Sequence, residues 1–211
     1  MNYPEYIEVN GKRYKINTDF RIAIECDEIA RDNEISDYER ALAIIFLLFG
    51  NEALKDMNNH KEMLRLAKIF LCCGKEIENS NNGDEPDMNF KQDMDYIEAS
   101  FMSDYGIDLP TTKIHWWKFY NLINGLSNSE LGNCCVLNRI RNLRNFDVKK
   151  ISDYKEKEKI KKAQKQVALK KQTKKRVFNE SEKKNMDDFY NEINVWWKEE
   201  KLWTIMTVGL L

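Results

Sequence analysis

The 211-residue chain is poor in the residues and motifs on which most catalysis rests. It has two histidines, His60 and His115, which lack the spacing of a metal motif. No Cys/His ligand set accompanies them, so no metal is expected. There is no Gly-x-Gly-x-x-Gly and no phosphate-binding loop, so no cofactor is expected either. Cysteine is present without a Cys-x-x-Cys unit: Cys26 stands alone, and Cys72–Cys73 and Cys134–Cys135 are adjacent pairs. The odd total of 5 argues against a disulfide framework and for free thiols packed as small hydrophobes. The opening residues are polar and lack the apolar stretch of a signal peptide. The apolar run ALAIIFLLF (41–49) is far too short to span a bilayer as a helix. A cytoplasmic location without membrane contact is therefore expected. Carboxylates do cluster: Asp104 and Asp108 flank a turn, and Asp93, Asp95 and Glu98 lie nearby. Such pairs are common as helix-start charge or on solvated surfaces, so no enzyme activity and no catalytic residue is expected.

What the chain does contain is core-forming and charged material. Hydrophobic residues make up 42% and charged residues 33%, the balance of a folded rather than a disordered protein. The length suits one domain, or a domain with an added lobe. The formal net charge of -1 conceals an asymmetry. Residues 149–176 hold 13 Lys+Arg against 3 Asp+Glu, a local net of +10 that leaves -11 for the rest. An acidic body with a basic segment suits nucleic acid, an acidic protein or another copy of the chain.

Periodicity predicts a mainly α fold: a compact helical domain with a small N-terminal β-hairpin and a C-terminal helical arm. In YIEVNGKRYKI (6–16), Asn10-Gly11 is a favoured two-residue hairpin turn. It sets Val9 opposite Lys12, Glu8 opposite Arg13 and Ile7 opposite Tyr14. Ile7, Val9, Tyr14 and Ile16 then share a face that should cover helices, with Glu8 and Arg13 as a charge pair on the other. A helix over 19–31 follows, capped by Thr18 or Asp19. Ser36-x-x-Glu39 is a capping box for an apolar helix ending at Gly50. Its stripe is Leu42, Ile45, Phe46 and Phe49, widened by Ala41, Ile44 and Leu48. A third helix spans about 59–73, and KEIENSNNGDEPD (75–87) breaks the pattern. Helices near 90–105 and 112–124 come next, the second capped by Thr111 or Thr112. Ser127-x-x-Glu130 reads as a second capping box, opening a helix through about Asn142.

The run TKIHWWKFY (112–120) raises the central question, because it sets two tryptophans side by side. At helical spacing Trp116 shares a face with Phe119, Tyr120 and Ile123, while Trp117 points elsewhere. One tryptophan is expected in the core and its neighbour between this helix and another element. An aromatic platform for nucleic acid and an anchor for a protein partner are the competing readings. His115 is expected to orient or cap, not to act as a base.

Residues 148–211 divide from the body, 1–147, as an arm. SDYKEKEKIKKAQKQVALKKQTKK (152–175) predicts one long helix with a thin stripe of Tyr154, Ile160, Ala163, Val167 and Ala168. Exposure to solvent, protein interaction and nucleic-acid contact are its three readings, the last ranked lowest because lysine dominates and bidentate base reading favours arginine. A closing amphipathic helix over 180–201 carries Trp196 and Trp197, followed by Trp203. Such a face calls for cover, from the body, another protomer or a partner.

Three strings, YIEASFMSDYGIDL (96–109), IHWWKFYNLINGL (114–126) and IRNLRNFD (140–147), resemble a small family of tailed phages and prophages of Gram-positive bacteria, the phage gene product fifteen family. The opening is similar as well, and the likeness covers about residues 5–147. The resemblance carries over Tyr105, Gly106, Asp108, His115, Trp116, Trp117, Lys118 and Phe119 as structural or interaction residues. It implies a gene in the tail module, beside that of the tape-measure protein, and a role like that of a tail assembly chaperone in the host bacterial cytoplasm. The implied partners are the tape-measure protein or other tail proteins, with self-association open. A minor structural component of the tail is the alternative, and a nonspecific nucleic-acid-binding protein a more distant one.

Overall fold

A computed structural model of the chain describes residues 3–75, 86–128, 134–170 and 184. Over these residues the protein is mostly helical, with one two-stranded antiparallel sheet near its start, as the patterning predicts. The described residues form two compact units: 3–75 with 113–120, and 86–112 with 121–170.

In the first unit, β1 (Tyr6–Val9) and β2 (Lys12–Lys15) pair in the expected register. Asn10 and Gly11 take left-handed dihedrals at the turn (φ 50 and 77), which asparagine tolerates and glycine adopts freely. Ile7, Val9, Tyr14 and Ile16 are buried. They lie over helix α2 (Asp37–Lys55) and helix α3 (His60–Leu71). On the outer face the Arg13 guanidinium lies 3.9 Å from the Tyr6 ring centroid. Polar contacts fix the hairpin to the turn between α2 and α3: Asn10 donates to Asn59 at 2.6 Å, and Lys12 and the Tyr14 hydroxyl both donate to Asp56. Hydrogen bonds from Tyr14, Lys12 and Asn59 hold the Asp56 carboxyl down at about 2.

Helix α1 (Phe20–Arg31) opens on Asp19, whose side chain accepts the Arg21 N–H. It buries Phe20, Ala23, Ile24, Cys26 and Ala30. Asp27 is buried among them and held by the Arg31 fork one turn on, with both hydrogen bonds at 3.0 Å. Burial pushes this carboxyl up, and the guanidinium opposes the shift. The Ser36–Glu39 capping box opens α2 as expected. The regular helix stops at Gly50 (φ 80), where a kink leads into a last turn, and the Leu48 carbonyl accepts the Asn17 N–H at 2.7 Å. One expectation for α2 fails. The inward stripe is Ala41, Ile44, Ile45 and Leu48, with Phe49 beside it, whereas Phe46 is exposed. In so apolar a helix the hydrophobic residues outnumber the inward positions, so periodicity alone left the face unresolved.

In the second unit, helix α4 (Met94–Tyr105) ends on Gly106 in the left-handed conformation (φ 64). The Gly106 and Ile107 N–H groups return to the carbonyls of Met102 and Phe101. Ser100 joins α4 to helix α6 (Val136–Asn145): its hydroxyl donates to the Tyr96 carbonyl at 2.6 Å and accepts the Leu137 N–H at 3.0 Å. Glu130 of the expected Ser127 capping box lies outside the described residues, and α6 begins at Val136. Asn128 and Cys134 form an antiparallel bridge, and the Cys135 thiol caps the helix by accepting the Asn138 N–H. Ser127 instead gives its N–H to Asp104 at 2.8 Å.

Helix α7 runs only from Tyr154 to Val167, shorter than the 152–175 expected. At Ala168 the backbone turns extended, and the continuation past 170 lies outside the described residues. Tyr154, placed in the apolar stripe, is 75% exposed. The amphipathic segment 180–201, with Trp196 and Trp197, and Trp203 beyond it also lie outside the described residues, apart from position 184.

Candidate functional site

The tryptophan pair is a helix clamp inside the first unit. Helix α5 (Trp116–Asn124) begins at Trp116, not at residue 112. Residues 114–116 pair with the strand-like entry to α1: the Phe20 N–H donates to the Ile114 carbonyl at 3.0 Å and the Trp116 N–H to the Thr18 carbonyl at 2.7 Å. That pairing uses the backbone that a longer helix would need. Thr111 therefore caps nothing, and its hydroxyl bonds Asp108 at 2.6 Å. His115 takes the cap position, since its Nδ1 accepts the Trp117 N–H at 3.1 Å. Nε2 must then carry the proton, and it donates to the Pro4 carbonyl at 3.1 Å. The Tyr3 ring stacks on the imidazole, so the N-terminal residues are tied to the start of α5.

The two indoles then reach the end of α3. Trp116 Nε1–H donates to the Leu71 carbonyl at 2.9 Å, and Trp117 Nε1–H donates to the Phe70 carbonyl at 2.8 Å. These carbonyls belong to the last turn, where the regular helical partners run out, and the Phe70 carbonyl also accepts the Cys73 N–H at 3.0 Å. Adjacent residues on one helix thus bond adjacent carbonyls on another. Trp116 is fully buried between Phe119 and Tyr120, and Phe119 stacks on Phe20 with centroids 4.4 Å apart. Trp117 is half-buried and covers Gly74 (φ 71), where a Cβ would come within 3.0 Å of the indole. Lys118 is exposed.

Tyr105, Gly106 and Asp108 belong to the second unit. The Tyr105 hydroxyl donates to the Leu122 carbonyl at 2.8 Å, and burial pushes its pKa up. Burial also pushes the Asp104 carboxyl up, but hydrogen bonds from Ser127 and Ser103 outweigh it and hold the group below its ordinary value. Both flanking aspartates are therefore engaged in turn geometry. Among the described residues no group of three or more His, Cys, Asp or Glu side chains is placed to hold a metal ion. Nor is any helix there long and apolar enough to cross a membrane. The described thiols are all free; burial pushes Cys73 up to about 12 and raises Cys26 further. Cys26 and Cys135 are buried as expected, whereas Cys72, Cys73 and Cys134 are half-buried.

The site that sequence reasoning missed is a buried charge network in the second unit. Arg144 forks onto Asp93 at 2.8 and 2.6 Å, reaches the Asp87 carbonyl at 2.7 Å, and donates Nε–H to the Val167 carbonyl at 2.7 Å. Arg141, one turn earlier, holds the Asp87 carboxylate at 3.1 Å. Asp93 and Asp87 are almost wholly buried. From the other side, Gln164 of α7 donates to the Leu143 and Phe146 carbonyls at the end of α6. Gln92 exchanges two hydrogen bonds with the Lys170 backbone. These contacts mount α7, which buries no residue of its own. The available signal was Arg141 and Arg144 at three-residue spacing within IRNLRNFD, with Asp87 closing the 75–87 break and Asp93 just beyond it.

The geometry is that of a helical scaffold carrying a mounted basic helix. The chain belongs to the family described as Bacteriophage Gp15 protein, which it matches over residues 2–169. That span exceeds the 5–147 of the sequence resemblance and takes in all of α7. No curated protein and no solved structure matches the chain.

Proposed function

We propose that this Gp15-family protein is a noncatalytic tail assembly protein that binds the tape-measure protein as a chaperone while the tail tube grows, in the cytoplasm of a Gram-positive host. Family membership is the observation that carries the reading. The tail-module resemblance of the Asp-Tyr-Gly-Ile-Asp-Leu and His-Trp-Trp-Lys-Phe strings gives it direction. The conspicuous aromatic and carboxylate groups are occupied in holding backbone, which suits a scaffold more than a reaction centre. No cofactor or membrane is required.

Co-expression with the tape-measure protein of the same phage is the test. A soluble complex, or suppression of tape-measure aggregation, is expected. If the two remain independent across salt conditions, the chaperone reading is lost. Stoichiometric protein in mature virions would favour a minor structural component of the tail instead. Salt-sensitive binding to nucleic acid, abolished by neutralising the lysines of 155–175, would favour the third reading.

A further inference from the structure

We infer that the outward face of α7 is a docking strip for an acidic α-helix of the assembly partner; the inference rests on the assembly reading above. Helical geometry separates two faces. Ile160, Ala163, Gln164 and Val167 are half-buried and face α6. About half a turn away lie Lys155, Glu158, Lys159, Lys162 and Lys165, all exposed. Lys155, Lys159 and Lys162 follow i, i+4, i+7 and form one row about 10 Å long. None of these three, nor Lys165, joins an ion pair among the described residues.

Two observations set this face apart from an ordinary solvated surface. First, α7 buries no residue, yet Gln164, Arg144 and Gln92 hold its last turn and exit at fixed points. A 14-residue helix is marginal by itself, so these anchors keep it formed with its outer face presented to solvent. Second, the family match runs to residue 169, so α7 is part of the family's fold and not a linker beyond it.

The charge pattern selects the occupant. Glu156 and Glu158 stand among the lysines, and Glu158 pairs with Lys161 at 3.0 Å. Glu158, on the outward face beside the lysine row, repels a phosphate backbone, and α7 has no arginine. A partner helix presenting carboxylates at i, i+4, i+7 with a basic residue between them meets both signs. Its strip would match the lysine row in length and rise.

The test uses the full chain and a labelled helical peptide of about 20 residues with Glu at i, i+4, i+7 on one face. An isomer of the same composition with its carboxylates spread around the helix is the comparison, and duplex DNA is a third probe. Anisotropy at about 0.1 M salt keeps surface charges partly screened. The striped peptide should bind more tightly than its isomer and than DNA. K155E/K159E/K162E should weaken it by about tenfold or more, since each reversal turns an attraction into a repulsion. K15E/K61E, on exposed lysines of the first unit, should change it by less than about twofold. Unchanged circular dichroism and melting would show that the variants fold, and the neutral K155Q/K159Q/K162Q should give an intermediate loss. Equal binding of the two peptides, tighter binding of DNA, or indifference to the α7 reversal would each overturn the strip. If the tape-measure protein co-purifies equally with wild type and K155E/K159E/K162E, the assembly reading stands and the strip falls. If it co-purifies with neither, the assembly reading falls and the peptide comparison still decides the strip.

Discussion

Replacing Trp116 by alanine removes the largest fully buried side chain of the described protein. Three losses follow together. The ring vacates contacts with Phe119 and Tyr120, the Leu71 carbonyl loses its indole donor at 2.9 Å, and the end of α3 loses one of its two links to α5. Truncation of a buried tryptophan costs about 3–5 kcal/mol when the cavity does not collapse. The stacked Phe20–Phe119 pair beside it resists collapse. Trp116→Phe keeps most of the volume but leaves the Leu71 carbonyl unpaired, at about 1–3 kcal/mol. Trp117→Ala removes a similar hydrogen bond from a half-buried ring, so its cost should be smaller than that of Trp116→Ala. Urea unfolding followed by far-UV circular dichroism is the assay, because each substitution removes a fluorophore. The midpoint should fall with little change in slope. Equal small effects of the two alanine variants, below about 1 kcal/mol, would refute the clamp.

Other perturbations address other parts of the scaffold. Arg144→Ala should cost about 3–5 kcal/mol by stranding the buried Asp93, and it should speed hydrogen exchange in α7, whose final carbonyl it caps; Arg144→Lys, without the fork, should rescue only part of this. The Asp56 carboxyl is held at about 2 in the folded state, below its ordinary 3.8. Its contribution is therefore full above about pH 4 and lost as pH falls towards 2. Melting curves should accordingly show Asp56→Asn less stable than wild type at pH 7, with the gap closing through that window. Gly74→Ala combines a left-handed backbone with a contact at 3.0 Å to Trp117, and should lower stability by about 1–2 kcal/mol in the same urea assay.

Local signals in the sequence read through to structure where one short-range rule had no competitor. Asn10-Gly11 set the hairpin register residue by residue, the Ser36–Glu39 box opened α2, and Gly106 closed α4. Ser127-x-x-Glu130 carried the same signature as the first box, but Asp104 takes the Ser127 N–H and Asn128 pairs with Cys134, while Glu130 lies outside the described residues. Thr112 failed for a related reason: Thr18 and Phe20, nearly a hundred residues away, pair with the backbone at 114–116. The direction of Trp116 was readable from its spacing to Phe119 and Tyr120. That both indoles serve carbonyls of one helix end was not, because the partner lies 45 residues earlier. The Arg144 network was hidden in the same way, since charged side chains on a helix read as surface until a distant carboxylate proves to be buried beside them.

The central functional claim is that the protein acts in building the tail. Deleting its gene from the phage and imaging the induced lysate by electron microscopy tests that claim most directly. Normal tails should then fail to form, and supplying the intact protein in trans should restore them. Tails normal in number and length without the gene would contradict it.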